Sequence, residues 1–183
     1  MRAEDACLVV VDVQARLAPA IAGVERAIAA TRLLLAAAAR LGVPVIVTEQ
    51  NPDGIGASVP EIAGPAAEAG ARVVAKTRFA ATAEPAFRDA LDATGRSQVV
   101  IAGTEAHVCV LQTAMGLLDA GHAVFVAADA VASRAPESRE IALARLARAG
   151  CSVVTAEMVA FEWLARSDTP VFRALLPAIK RGC

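Results

Sequence analysis

Asp12, Lys76 and Cys109 are a carboxylate, an ammonium and a thiol that could act together. Each closes or follows a short apolar run. Asp12 interrupts Cys7 to Val13 near its end, Lys76 ends Val73-Val74-Ala75, and Cys109 follows Gln98 to Gly103 at the head of a helix-patterned stretch, Val108 to Ala120. A thiol at such a strand-to-helix turn faces unpaired backbone N–H groups and the helix dipole, which stabilise a thiolate and later an oxyanion. An ordinary thiol, with a pKa of about 8.5, is only a few per cent ionised at neutral pH, and lowering it by ~2 units takes roughly 2.7 kcal/mol. One ammonium ~4 Å away, at an effective dielectric of about 20, supplies on the order of 4 kcal/mol, and a nearby carboxylate opposes it by a similar amount. Asp12 therefore has to accept a proton rather than stand by. The chemistry that results is acyl transfer: the thiol attacks a carbonyl while Asp12 takes its proton, Lys76 holds both groups, backbone N–H groups receive the oxyanion, and Asp12 protonates the leaving amine. Free cysteines are commonly buried and inert. What gives Cys109 weight is its joint placement with the other two.

That placement depends on the elements around it. Short β-branched runs alternate with Ala/Leu/Arg stretches of helical period. Strands are expected at Cys7 to Val13, Val43 to Thr48, Arg72 to Ala75, Gln98 to Gly103, Ala123 to Ala128 and Ser152 to Thr155. Helices are expected at Val24 to Leu41, Pro85 to Thr94, Val108 to Ala120, whose Val108, Leu111, Met115 and Leu118 share a face, and Pro136 to Ala149, with glycines at 42, 95, 121 and 150 closing them. Near-continuous apolar strands are buried on both faces, as in a parallel sheet between two helix layers, so the pattern predicts a three-layer α/β/α domain. In an open parallel sheet ligands bind beyond the carboxyl ends of the strands, where the three chemical residues fall. Glu49 to Gly70, rich in Gly and Pro, and Met158 to Lys180, with Trp163, Phe172 and Leu175 as packing or interface residues, do not follow the alternation.

The 183 residues suit one domain, residues 1–183. A composition 56% hydrophobic, with net charge −1, points to a homo-oligomer and leaves no basic stripe for nucleic acid. The acidic start, Glu4-Asp5, argues against a secretory signal, and Arg32 and Arg40 bracket the most apolar helix. A cytoplasmic protein with no membrane span is expected, acting on a small molecule. Cysteines at 7, 109, 151 and 183 show no paired spacing, so they read as independent thiols rather than metal ligands or a redox pair. Gly54-Ile55-Gly56 is not followed at once by a helix, and no dinucleotide or other cofactor is expected.

The runs Val10-Val11-Asp12-Val13-Gln14, Val47-Thr48-Glu49-Gln50, Ala75-Lys76-Thr77-Arg78-Phe79 and Gly103-Thr104-Glu105-Ala106-His107-Val108-Cys109-Val110 resemble the isochorismatase-like cysteine hydrolases, in particular their isochorismatase domain-containing branch. The likeness covers nearly the whole chain, continuing through Gln112-Thr113-Ala114 and Asp129-Ala130-Val131-Ala132-Ser133-Arg134. It implies a Rossmann-like, six-stranded parallel sheet of order 3-2-1-4-5-6 and a triad at Asp12, Lys76 and Cys109. It also implies a non-proline cis peptide at Thr104–Glu105 that helps aim the N–H groups of Glu105 and Cys109 at the oxyanion. Nicotinamidases of this superfamily bind a metal through an Asp-x-His motif and a further histidine in the second loop, whereas Glu49 to Gly70 contains no histidine; no metal is expected. Isochorismatases proper lack the cysteine and cleave a vinyl ether, so Cys109 favours acyl transfer, with vinyl ether hydrolysis as the alternative.

Around the triad, Gln14, Glu49, Gln50, Phe79 and His107 are candidate pocket residues. His107 reads as a wall or structural residue, with a base role as its alternative. Two rivals are phosphoryl transfer from Asp12 with Lys76 and Asp129 as helpers, and an oligomeric interaction protein on the same scaffold. The phosphoryl scheme calls for a second acid at the position of Gln14.

Overall fold

The computed structural model describes residues 1–181; Cys183, read above as a terminal thiol, lies outside the described residues. Six strands, β1 (Ala6–Val11), β2 (Val45–Gln50), β3 (Arg72–Lys76), β4 (Gln98–Thr104), β5 (Ala123–Ala132) and β6 (Ser152–Val154), form one sheet of order β3-β2-β1-β4-β5-β6. Every neighbouring pair is parallel. The expected order is the observed one.

The reason for this architecture is visible in β1, where all six residues are buried and successive side chains serve opposite cores. Ala6, Leu8 and Val10 join α1 (Val24–Leu41), α3 (Pro60–Glu68), α7 (Ala156–Leu164) and α8 (Pro170–Arg181) on one face. Cys7, Val9 and Val11 join α4 (Pro85–Asp92), α5 (Leu111–Asp119) and α6 (Pro136–Ala149) on the other. A strand apolar on both sides has to lie inside a sheet covered twice. The 18-residue α1 ends where the periodicity places its end, with Gly42 at φ 67 donating its N–H to the Ala38 carbonyl.

Several boundaries depart from expectation. The first strand stops at Val11, because Asp12 turns the chain with φ 53. The fifth runs on to Ala132, through a register shift against β4 between Ile101 and Gly103. The helix expected from Val108 begins instead with a wide π turn, Ala106–Val110, in which the Glu105 carbonyl accepts the N–H groups of both Val108 (2.9 Å) and Val110 (3.3 Å). Glu49 to Gly70 holds two helices, α2 (Pro52–Ile55) and α3; their opening prolines, which look like breakers, occupy first-turn positions where no N–H is needed. The C-terminal segment forms α7 and α8, with Trp163 and Leu175 buried and Phe172 against the same core.

Gly103 sets how closely β4 approaches β1 at the rim. Its φ is 137, and a Cβ there would stand 2.1 Å from the Val11 carbonyl oxygen, a backbone atom that cannot swing aside. Gly103→Ala should therefore lose about 2 kcal/mol or more of stability, read as a lowered urea midpoint with an unchanged slope.

Candidate functional site

The sheet reverses direction between β1 and β4: β2 and β3 lie on one side, β5 and β6 on the other. Such a switch point opens a crevice beyond the carboxyl ends of the strands. Asp12 leaves β1 there, Lys76 is the last residue of β3, and Cys109 sits in the π turn after β4.

Lys76 and Asp12 form an ion pair, Nζ to Oδ2 2.7 Å, with both side chains fully buried. Lys76 is two strands from β1, so its stem crosses over the end of β2 to reach the carboxylate, a distance that lysine's four carbons can cover. Its N–H groups donate to Gln50 Oε1 (2.6 Å) and to the carbonyls of Arg78 and Phe79 (3.3 Å each). The other carboxylate oxygen, Oδ1, accepts the Thr48 hydroxyl at 2.7 Å. Thr104, fully buried, donates its hydroxyl to the Asp12 carbonyl at 2.6 Å.

Cys109 is 5% exposed and near enough to Asp12 and Lys76 for both charges to act on its thiol. Its thiol is pushed up to about 12, first by burial and next by the Asp12 charge, with Lys76 pulling the other way. Desolvation and the carboxylate thus outweigh the lysine at the sulfur. Cys7, pushed up to about 12, and Cys151, up to about 11, are raised chiefly by burial.

The Thr104–Glu105 peptide is also a correction: the described chain has no cis bond. The turn is made by Gly103 at φ 137 and by Glu105 in the left-handed region at φ 54. The Glu105 side chain fastens that turn, Oε1 accepting Arg134 Nε at 2.7 Å and Oε2 lying 3.2 Å from His107 Nδ1. His107 Nδ1 is also 3.0 Å from the Ser133 hydroxyl, so this nitrogen is committed to the turn's support.

The remaining candidates divide. Gln14 is fully buried, its Oε1 accepts the Gln50 N–H at 2.7 Å, and its Nε2 donates to the carbonyls of Gln50 and Gly56. Glu49 accepts the backbone N–H and the hydroxyl of Ser58, at 2.7 and 2.8 Å. These two side chains fasten the loop around α2 to the sheet. Gln50 stands beside Lys76 in register and also donates Nε2 to the Thr77 carbonyl at 2.8 Å. Phe79 leaves its ring 53% exposed while its carbonyl holds the lysine. Asp129 accepts the Ala156 N–H at 2.8 Å, at the start of α7. Sequence reasoning missed Thr48, Ser133 and the Glu105–Arg134 pair; the only signal was their presence in motif segments. Among the described residues no three His, Cys, Asp or Glu gather as metal ligands, and no helix is long and apolar enough to cross a membrane.

Known proteins share this arrangement of elements. A family model described as the isochorismatase domain matches residues 6–158. Isochorismatase domain-containing protein 2A of Mus musculus is 35% identical over 180 residues, 97% of this chain and 84% of that protein. The structure of MAR1 ribonuclease from Caenorhabditis elegans has a TM-score of 0.92 and 35% identity, covering 98% of this chain and 92% of that one. The YcaC gene product of Escherichia coli, described as an octameric hydrolase of unknown specificity, has a TM-score of 0.87 and 27% identity, covering 100% of this chain and 89% of that one.

The electrostatics give a signed test. Because the Asp12 charge raises the thiol and Lys76 lowers it, Asp12→Asn should move the pH midpoint of Cys109 alkylation down and Lys76→Met should move it up. Iodoacetamide labelling rates across pH, read by peptide mass spectrometry, check this, with Cys7 and Cys151 as unresponsive internal references.

Proposed function

The chain belongs to the isochorismatase family, a family of hydrolases, and from that footing we propose that it is a metal-independent cysteine hydrolase of a small amide or related acyl compound. The observation that carries this reading is the buried Asp12–Lys76 pair within reach of the Cys109 thiol. Cys109 is the nucleophile, Asp12 the general base and then acid, and Lys76 the electrostatic organiser. As Sγ bonds to the carbonyl carbon, the S–H proton passes to Asp12 and the carbonyl π pair becomes an oxyanion. Backbone N–H groups of the Thr104-Glu105 turn and of Cys109 receive that charge. On collapse the C–N bond breaks and Asp12 returns its proton to the departing amine, leaving a thioester. Water then attacks the thioester, Asp12 takes its proton and passes it to the sulfur, and the acid is released.

A thiol that is neutral at rest suits this scheme, since the proton moves only as the bond to carbon forms. Metal independence is supported by the ligand set: Glu49 to Gly70 carries no histidine. The reading takes residues 1–183 as one hydrolase domain, working in the cytoplasm and self-associating in the manner of the octameric Escherichia coli neighbour. Vinyl ether hydrolysis, the alternative, makes no use of the thiol. The Caenorhabditis elegans neighbour is called a ribonuclease; here the net charge is −1, which does not favour a polyphosphate substrate.

A panel of simple amides, carbamoyl compounds, isochorismate and a short RNA, followed by ammonia or product release, tests the assignment. An amide or carbamoyl compound should turn over, and Cys109→Ala should abolish its turnover. Asp12→Asn should also lose amide turnover although its thiol ionises more readily, because the departing amine then lacks its proton donor. Full amide hydrolysis by either variant would overturn the scheme.

A further inference from the structure

The two carboxylate oxygens of Asp12 are not equivalent. Oδ1 accepts the Thr48 hydroxyl at 2.7 Å. Oδ2 is buried, lies 2.7 Å from Lys76 Nζ, and accepts no aligned hydrogen bond. An ammonium has three N–H donors, and those of Lys76 go to Gln50 Oε1 and to the carbonyls of Arg78 and Phe79. Lys76 thus stands against Oδ2 at ion-pair distance while it also holds Gln50 and the two carbonyls. The carboxylate so fixed is near enough for its charge to act on the Cys109 thiol.

Thr48 is placed for its part by the sheet itself. It pairs in register with Val11, the residue before Asp12, and its carbonyl accepts the Asp12 N–H at 3.1 Å. Thr104 fixes the Asp12 carbonyl from the other side, so the backbone cannot turn. The remaining freedom is rotation about Cα–Cβ and Cβ–Cγ, which the Thr48 hydroxyl and Lys76 restrict by holding the two oxygens separately. Without that hydroxyl both oxygens would compete for Lys76, and neither would be held toward the sulfur.

We propose that Thr48 is a positioning residue that fixes the orientation of the Asp12 carboxylate as it receives the Cys109 proton. This rests on the cysteine-hydrolase reading and adds to its first step the residue that orients the base: the S–H bond breaks, Sγ–C and an Asp12 O–H bond form, and the carbonyl π pair becomes the oxyanion.

The test uses p-nitrophenyl acetate as acyl donor, following nitrophenolate release and the acetyl group on Cys109 by peptide mass spectrometry. Wild-type protein should acetylate at Cys109. Thr48→Val, matched in shape and equally suited to a strand, should slow acetylation by about tenfold or more. Thr48→Ser, which keeps the hydroxyl, should restore most of the rate; Thr48→Val, which leaves Oδ1 unmet, should also melt lower, so the rates are compared well below every melting transition. A merely structural role would leave the rate of the folded Thr48→Val protein at that of wild type. Wild-type acetylation with Thr48→Val equally fast, or with Thr48→Ser as slow as Thr48→Val, would overturn the role of Thr48 and leave the hydrolase reading intact. No acetyl group on wild-type Cys109, or release unchanged in Cys109→Ala, would overturn the hydrolase reading and the inference with it.

Discussion

A carboxylate and an ammonium buried out of contact with water impose the strictest demand on this molecule. Each alone would be costly at such a depth, and together they are tolerable only if their remaining donors and acceptors are met. The surroundings follow from that demand. Gln50 and two carbonyls after β3 meet the lysine, while Thr48 meets one carboxylate oxygen. Gln14 holds the backbone of Gln50 through both its N–H and its carbonyl. The network therefore extends from β1 across β2 to β3. A strand order that placed β3 elsewhere would remove the lysine and leave an isolated buried charge.

Three non-glycine residues on this rim lie in the left-handed region, Asn51 at φ 38 after β2 and, after β1 and β4, Asp12 at φ 53 and Glu105 at φ 54. Such conformations persist when neighbours over-determine them. At Asp12 the Thr104 hydroxyl and the pairing with Thr48 do so; at Glu105 the side chain is held by Arg134 and lies against His107. Both turns end strands that are neighbours in the sheet, and Gly103 lets those strands come together. The close approach of β1 and β4 and the two turned residues are one structural unit.

Much of this was legible in the sequence, and the reason is chemical contrast. A charged residue at the end of an apolar strand stands out, so Asp12 and Lys76 could be read, and the helical period beyond Gly103 drew attention to Cys109. The layered fold was legible because both faces of β1 are apolar. Thr48 was not, since a threonine inside a strand looks like any β-branched filler until its hydroxyl is seen against a carboxylate. That the Gln14 amide is spent on backbone was not legible either, since its partners come from β2 and the loop after it. How far burial raises the thiol was not legible, because desolvation arises from packing by distant segments. The trans Thr104–Glu105 bond was hidden because a left-handed residue and a glycine at φ 137 make the turn another way.

The wide winding of Ala106–Val110 ties the direction of the sulfur to the rotational phase of the helix beyond it. A π turn holds one residue more than the corresponding α turn, and each residue advances an α-helix by about 100°. Excising a single residue there would let regular winding resume upstream of α5 while rotating the thiol away from the ion pair, with the sheet untouched. On this scaffold, gain or loss of a nucleophile is open to a one-codon insertion or deletion as well as to substitution.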